Sequence, residues 1–187
     1  MASFKEAFKK IEGMEYSSPN DILHKNKKET GLTFFGIYET AHEHWEGWEY
    51  IYLMIKKHHG DLKRASEACF ENDNLIESVK DFYYKKFWLP LKLNMIESQK
   101  IAEEMYFFYM NTGNKKRTIK MAQLIVGATP DGFIGIETIT KLNNFDEELF
   151  DRAYDLKEME YHARLVQANP KRCLLNLVGW IRRDAMV

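Results

Sequence analysis

The sequence predicts a mostly α-helical fold. Three observations predict it: apolar residues recur at intervals of three and four rather than alternating, only 10 Gly and 4 Pro interrupt 187 residues, and helix-capping side chains stand at several of the interruptions. The first helix opens with Ser3 and Glu6 as a capping box, buries Phe4, Ala7, Phe8 and Ile11, and stops at Gly13. From Met14 to Ile37 the periodicity fails, which predicts a long loop with a small hairpin around Gly31–Tyr38. Helical spacing resumes after Trp45 and Trp48, over Tyr50–Lys57, and stops at Gly60. Two more helices follow, about Leu62–Glu71 capped by Asp61 and about Leu75–Phe87 capped by Asp73 or Asn74, before Pro90 breaks the chain.

The second half reads as a long helix from about Leu91 to Met110, a turn at Asn111-Thr112-Gly113, and a helix over about Arg117–Val126. A loop through Asp131-Gly132 leads to a short helix near Glu137–Leu142. A long helix over about Glu147–Gln167, capped by Asp146, ends at Asn169-Pro170, and the last covers about Lys171–Arg183.

Composition narrows the function. Lys and Arg number 27 against 28 Asp and Glu, a formal charge of -1, which argues against general nucleic-acid binding because phosphate neutralisation needs a basic face. No apolar stretch approaches the roughly 20 residues of a bilayer-spanning helix, and the N-terminus lacks the apolar core of an export signal. Cys69 and Cys173 do not pair in a Cys-x-x-Cys motif and read as buried free thiols. His42-Glu43-His44 puts two imidazoles at i and i+2, on different sides of a helix, so no zinc site is expected. No metal and no cofactor is expected at all.

Glu12 stands out among the carboxylates. Counting back by fours gives Phe8 and Phe4, so it lies on the buried stripe of its own helix, near a C-terminus whose partial negative charge disfavours a second one. Burial and dipole are both expected to raise its pKa, the condition a general acid requires. Spacing alone leaves open that Glu12 reaches solvent or pairs with a nearby Lys. Asp21 and Thr33 lie in the following loop and are positioned to hold a water or to steady positive charge on a sugar, as glycoside hydrolysis demands. Asp21 capping the turn after Pro19-Asn20 is the competing structural role.

Ile11 through Asp21, with Gly31-Leu32-Thr33-Phe34-Phe35-Gly36-Ile37, resembles the Glu-Gly-Gly-Tyr signature of glycoside hydrolase family 108, lysozyme-like N-acetylmuramidases once catalogued as secretion activator proteins. The resemblance implies a lysozyme-like two-lobed helical fold, with Glu12 as catalytic acid and Asp21 and Thr33 beside it. It departs from the signature where Met14-Glu15 replaces the second Gly and where about Leu23–Lys28 is inserted. Glu15 thereby becomes a rival second carboxylate. Glu15, Tyr16, Trp45 and Trp48 are candidate substrate contacts, although core packing is the commoner fate of such Trp residues.

Gln123-Leu124, Asp131 through Gly135, Thr138, Asn169-Pro170 and Gly179 through Arg183 resemble the peptidoglycan-binding half that follows in the same proteins. The implied division is a catalytic half over 1–90 and a wall-binding half over 91–187. The expected activity is hydrolysis of the β-1,4 bond between N-acetylmuramic acid and N-acetylglucosamine in peptidoglycan, as an endolysin-type enzyme. A lytic transglycosylase and a non-catalytic wall-binding or secretion-accessory protein are the alternatives. With no export signal visible, the chain is expected to be made in the cytoplasm and to reach the cell wall through a holin or a secretion machine.

Overall fold

The computed structural model describes residues 1–15, 18–26 and 30–184. The fold is mostly α with one small antiparallel sheet. Two compact units divide the chain: Lys5–Tyr84 form one, and Met1–Phe4 with Lys85–Val187 form the other.

Helix α1 spans Phe4–Glu15, all but its first residue in the first unit, and its Ala7, Phe8 and Ile11 are buried as the stripe predicts. The helix runs through Gly13 and does not stop there. One glycine costs a helix only about 1 kcal/mol, less than the packing of the stripe returns. The Ser3 N–H, which a capping box assigns to Glu6, is met by Gln99 Oε1 at 2.6 Å within the second unit.

The region expected as a loop holds three two-residue strands, β1 (Leu23–His24), β2 (Thr33–Phe34) and β3 (Ile37–Tyr38), paired antiparallel in that order. The β2–β3 hairpin falls within the predicted Gly31–Tyr38; β1 was not foreseen. Helix α2 spans Gly47–Lys57, three residues longer at its start than expected. Helix α3 is Leu62–Phe70, and the Asp61 carboxylate caps it by accepting from the Lys63 and Arg64 N–H groups. Helix α4 is Asp73–Tyr83, and its cap is Asn72, not Asp73 or Asn74: the Asn72 side chain accepts from the Leu75 N–H at 2.8 Å.

In the second unit the predicted helix from Leu91 begins only at Gln99. A π turn at Tyr84–Trp88 and 3-10 turns at Leu89–Leu91 and Leu93–Met95 precede it, and Lys92 adopts a left-handed φ of 53°. Asn143 satisfies the broken backbone, donating to the Met95 carbonyl and accepting from the Glu97 N–H, both at 3.0 Å. Helix α5 (Gln99–Thr112) then starts under a Ser98 cap, and α6 (Lys115–Ile125) under an Asn114 cap. Helices α7 (Ile136–Asn143), α8 (Glu147–Ala168, capped by Asp146) and α9 (Pro170–Asp184) complete the unit. Cys69 is buried as expected, whereas Cys173 on α9 is only half-buried.

Candidate functional site

Glu12 sits in the last turn of α1 and is half-buried. The residue one turn before it, Phe8, stacks on Phe35 with ring centroids 6.0 Å apart and meets Tyr83 edge-on at 5.9 Å. The face of α1 that carries Glu12 is therefore the face that packs on the β2–β3 hairpin.

That hairpin is held under strain. Phe35 and Gly36 form its two-residue loop, and both have positive φ, 50° and 75°, as a type I′ turn requires. Glycine takes that conformation freely; phenylalanine does so at a cost of roughly 1–2 kcal/mol. The surroundings over-determine it. The Phe35 ring is buried, its N–H donates to the Ile22 carbonyl at 3.2 Å, and its own carbonyl accepts from the Tyr83 hydroxyl at 2.9 Å.

Asp21 and Thr33 both attach to this sheet. Asp21 is exposed, in a turn where its N–H donates to the Ser18 carbonyl at 3.0 Å and the Ser18 hydroxyl reaches Asn20 Oδ1 at 2.6 Å. Two residues on, β1 begins, and it pairs His24 with Thr33 and Leu23 with Phe34. Thr33 is buried, and its Oγ1 finds no hydrogen-bond partner among the described residues. Glu12, Asp21 and Thr33 thus belong to three segments tied to one hairpin: Glu12 through the Phe8–Phe35 stack, Asp21 through β1, and Thr33 within β2.

The other candidates divide. Trp48 is buried, and its Nε1 donates to the His42 carbonyl at 2.8 Å, which makes it part of the core of the unit. Trp45 is half-buried, stacked on Phe34 at 6.2 Å and edge-on to Trp48 at 5.2 Å, so it packs between β2 and α2. Tyr16 and the Glu15 side chain lie outside the described residues.

Two residues that position the site went unnoticed in the sequence. Ser66, buried on α3, donates from Oγ to the Pro19 carbonyl at 2.6 Å and accepts from the Leu23 N–H at 3.0 Å. It pins the Asp21 turn between its two ends. Glu39, just after β3, accepts from the Leu32 N–H at 2.8 Å and from the Tyr52 hydroxyl, fastening the base of the hairpin to α2. That carboxylate pushes the Tyr52 pKa up to about 12, first through the hydrogen bond, with burial and charge adding to it. A serine next to Ala65 on the buried face of α3, and a glutamate directly after β3, are weak signals that only the tertiary pairing makes meaningful.

The second unit carries two polar assemblies of its own. Gln123, buried on α6, donates to Asp131 Oδ1 and the Phe133 carbonyl, both at 2.9 Å, and to Thr138 Oγ1 at 3.2 Å, while its Oε1 accepts from the Gly132 N–H. Gly132 has φ 82°, and a Cβ there would stand 2.6 Å from Lys116 Cγ, so the turn needs glycine twice over. The Phe133 N–H and then Gln123 hold the Asp131 carboxyl below its ordinary range. This network gives the Asp131–Thr138 segment a structural task.

Glu104 of α5 and Asp155 and Glu158 of α8 bring carboxylate oxygens within 4.8 Å of one another, close enough to share a cation, and Glu104 and Glu158 are buried. Each of the three also has a partner within the protein. Burial, with the charges of Glu158 and Glu104, pushes the buried Tyr154 phenol well above its ordinary value. Its hydroxyl donates to the Thr118 carbonyl at 3.3 Å.

No family model matches the chain, and no curated protein matches its sequence. Among solved structures, the chain is similar in fold to SagA of Brucella abortus, with a TM-score of 0.60 and 16% sequence identity over 98% of this chain and 94% of that one.

Proposed function

We propose that the chain is an N-acetylmuramidase that hydrolyses the β-1,4 bond between N-acetylmuramic acid and N-acetylglucosamine, and that it belongs with glycoside hydrolase family 108. The observation that carries the reading is the attachment of the three segments that bear Glu12, Asp21 and Thr33 to a single strained hairpin, through Phe8, β1 and β2. The resemblance in the Glu12 and Thr33 segments supports it, and the fold likeness to SagA over nearly the whole of both chains is compatible with it.

Glu12 protonates the glycosidic oxygen as the bond to the anomeric carbon breaks. Half-burial at the end of α1 limits how many water molecules compete for its proton. The Thr33 hydroxyl, buried and left without a protein partner among the described residues, would hold the attacking water or a substrate hydroxyl once the hairpin admits it. Asp21, as a carboxylate, steadies positive charge on the sugar or takes the proton from that water. Nothing in this chemistry requires a metal or cofactor. The second unit would contribute wall binding, and a holin or a secretion machine would deliver the enzyme to the wall.

The exposure of Asp21, and its engagement in its own turn, favours a second reading in which Glu12 acts alone as a lytic transglycosylase. There the muramic acid 6-hydroxyl attacks in place of water. Replacing Glu12→Gln tests both readings, since it keeps the size and hydrogen bonding of the side chain but removes the transferable proton. Loss of at least about 100-fold in the clearing of a cell-wall suspension is expected. Unchanged clearing would remove Glu12 from the mechanism, and a wild type that clears no wall would leave a non-catalytic wall-binding or secretion-accessory role. Mass spectrometry of the wild-type digest then separates the two chemistries: reducing ends mean hydrolysis, anhydro-muramyl ends transglycosylation.

A further inference from the structure

Helix α9 carries more apolar surface than its packing uses. Cys173, Leu177 and Trp180 form a half-buried stripe, with the Trp180 ring stacked on His162 of α8 at 4.9 Å. Beside that stripe, Leu174, Val178 and Ile181 follow at i, i+4 and i+7, and Leu175 flanks them. All four are exposed, Leu175 to 88% and Leu174 to 60%. An apolar face of this kind on a folded chain marks a surface that something else covers.

The charges on the helix say what kind of surface that is. Lys171 and Arg172 stand at one end and Arg182 and Arg183 at the other, against the single acidic residue Asp184, whereas the whole chain carries a net charge of -1. Lys171 precedes Leu175 by four positions and Arg182 follows Val178 by four, so both cationic positions fall on the apolar arc itself. A second copy of the chain is disfavoured, because both ends of the helix are basic and either orientation would set cations against cations. No helix among the described residues is long and apolar enough to cross a membrane, so contact would be along a surface.

We propose that the outer face of α9 docks on an anionic lipid bilayer. Leu174, Leu175, Val178 and Ile181 enter the boundary between headgroups and acyl chains, and the cationic ends of the helix face the anionic headgroups. The test is co-sedimentation of the full chain with vesicles of pure phosphatidylcholine and with vesicles containing about one quarter phosphatidylglycerol. At least about tenfold more bound protein on the anionic vesicles is expected, falling as salt is raised. Leu175→Glu should abolish it, and circular dichroism should show unchanged helix because that side chain has no packing to lose. If Leu175→Glu nevertheless unfolds the helix, Lys171→Glu decides, with a several-fold loss expected. Equal binding to both vesicles, no binding to either, or binding indifferent to the variants would overturn the proposal. So would a dimer in sedimentation velocity that Leu175→Glu dissolves without any vesicle binding.

Discussion

Thr33 holds a hydroxyl that the fold buries and leaves without a hydrogen bond among the described residues. Desolvating such a group costs roughly 1–3 kcal/mol, so its presence weakens the hairpin that carries it. Replacing Thr33→Val substitutes a methyl of nearly the same shape. A gain of about 1 kcal/mol in urea unfolding is expected, with a fall of about tenfold or more in wall clearing, the pattern of a group retained for function at the expense of stability. Loss of stability with full activity would make the hydroxyl structural and detach it from the site. Glu12 was legible in the sequence because one helix and its period were enough to place it. The hydroxyl of Thr33 was legible only as a position in a motif, since its isolation depends on which strands close around it.

At the scale of elements, the site depends on how the segment between α1 and α2 is pinned. Ser66 bridges the Pro19 carbonyl and the Leu23 N–H, and Ser66→Ala leaves both without that partner. A loss of about 1–3 kcal/mol in urea unfolding is expected, together with weaker wall clearing as the Asp21 turn loosens. Unchanged stability would mean that water replaces the hydroxyl. The Glu39–Tyr52 contact predicts a pH effect. Folding raises the Tyr52 pKa from 10.0 to about 12, so its contribution to stability is fully present below pH 10 and disappears as pH rises towards 12. Tyr52→Phe should flatten the fall in thermal midpoint across that window, and an identical fall in both proteins would assign the alkaline instability elsewhere. The helices capped by Asp61 and Asp146 could be read directly, because cap and period are local. Strand β1 could not, as two residues in a polar stretch have no period. The delayed start of α5 was hidden for the opposite reason: Leu89, Leu93 and Ile96 keep a helix-like spacing through 3-10 turns, and the left-handed Lys92 leaves no mark in hydropathy.

Across the whole molecule, charge acts on two lengths. On the proposed function, the net charge of -1 would provide no long-range attraction to an anionic wall, and productive binding would come from short contacts in the site and the second unit. Screening changes such contacts little, because the Debye length falls only from about 14 to about 6 Å between about 50 and about 300 mM salt. Wall clearing over that range should therefore change by less than about twofold. The cationic ends of α9 are local and should respond to salt in vesicle binding while leaving clearing of lipid-free wall untouched. Leu175→Glu gives the internal control: it should lose the vesicle binding and keep the clearing rate. A steep salt dependence of clearing in the wild type, lost in Lys171→Glu, would show instead that α9 grips the wall itself, and that the neutral overall balance conceals an electrostatic anchor.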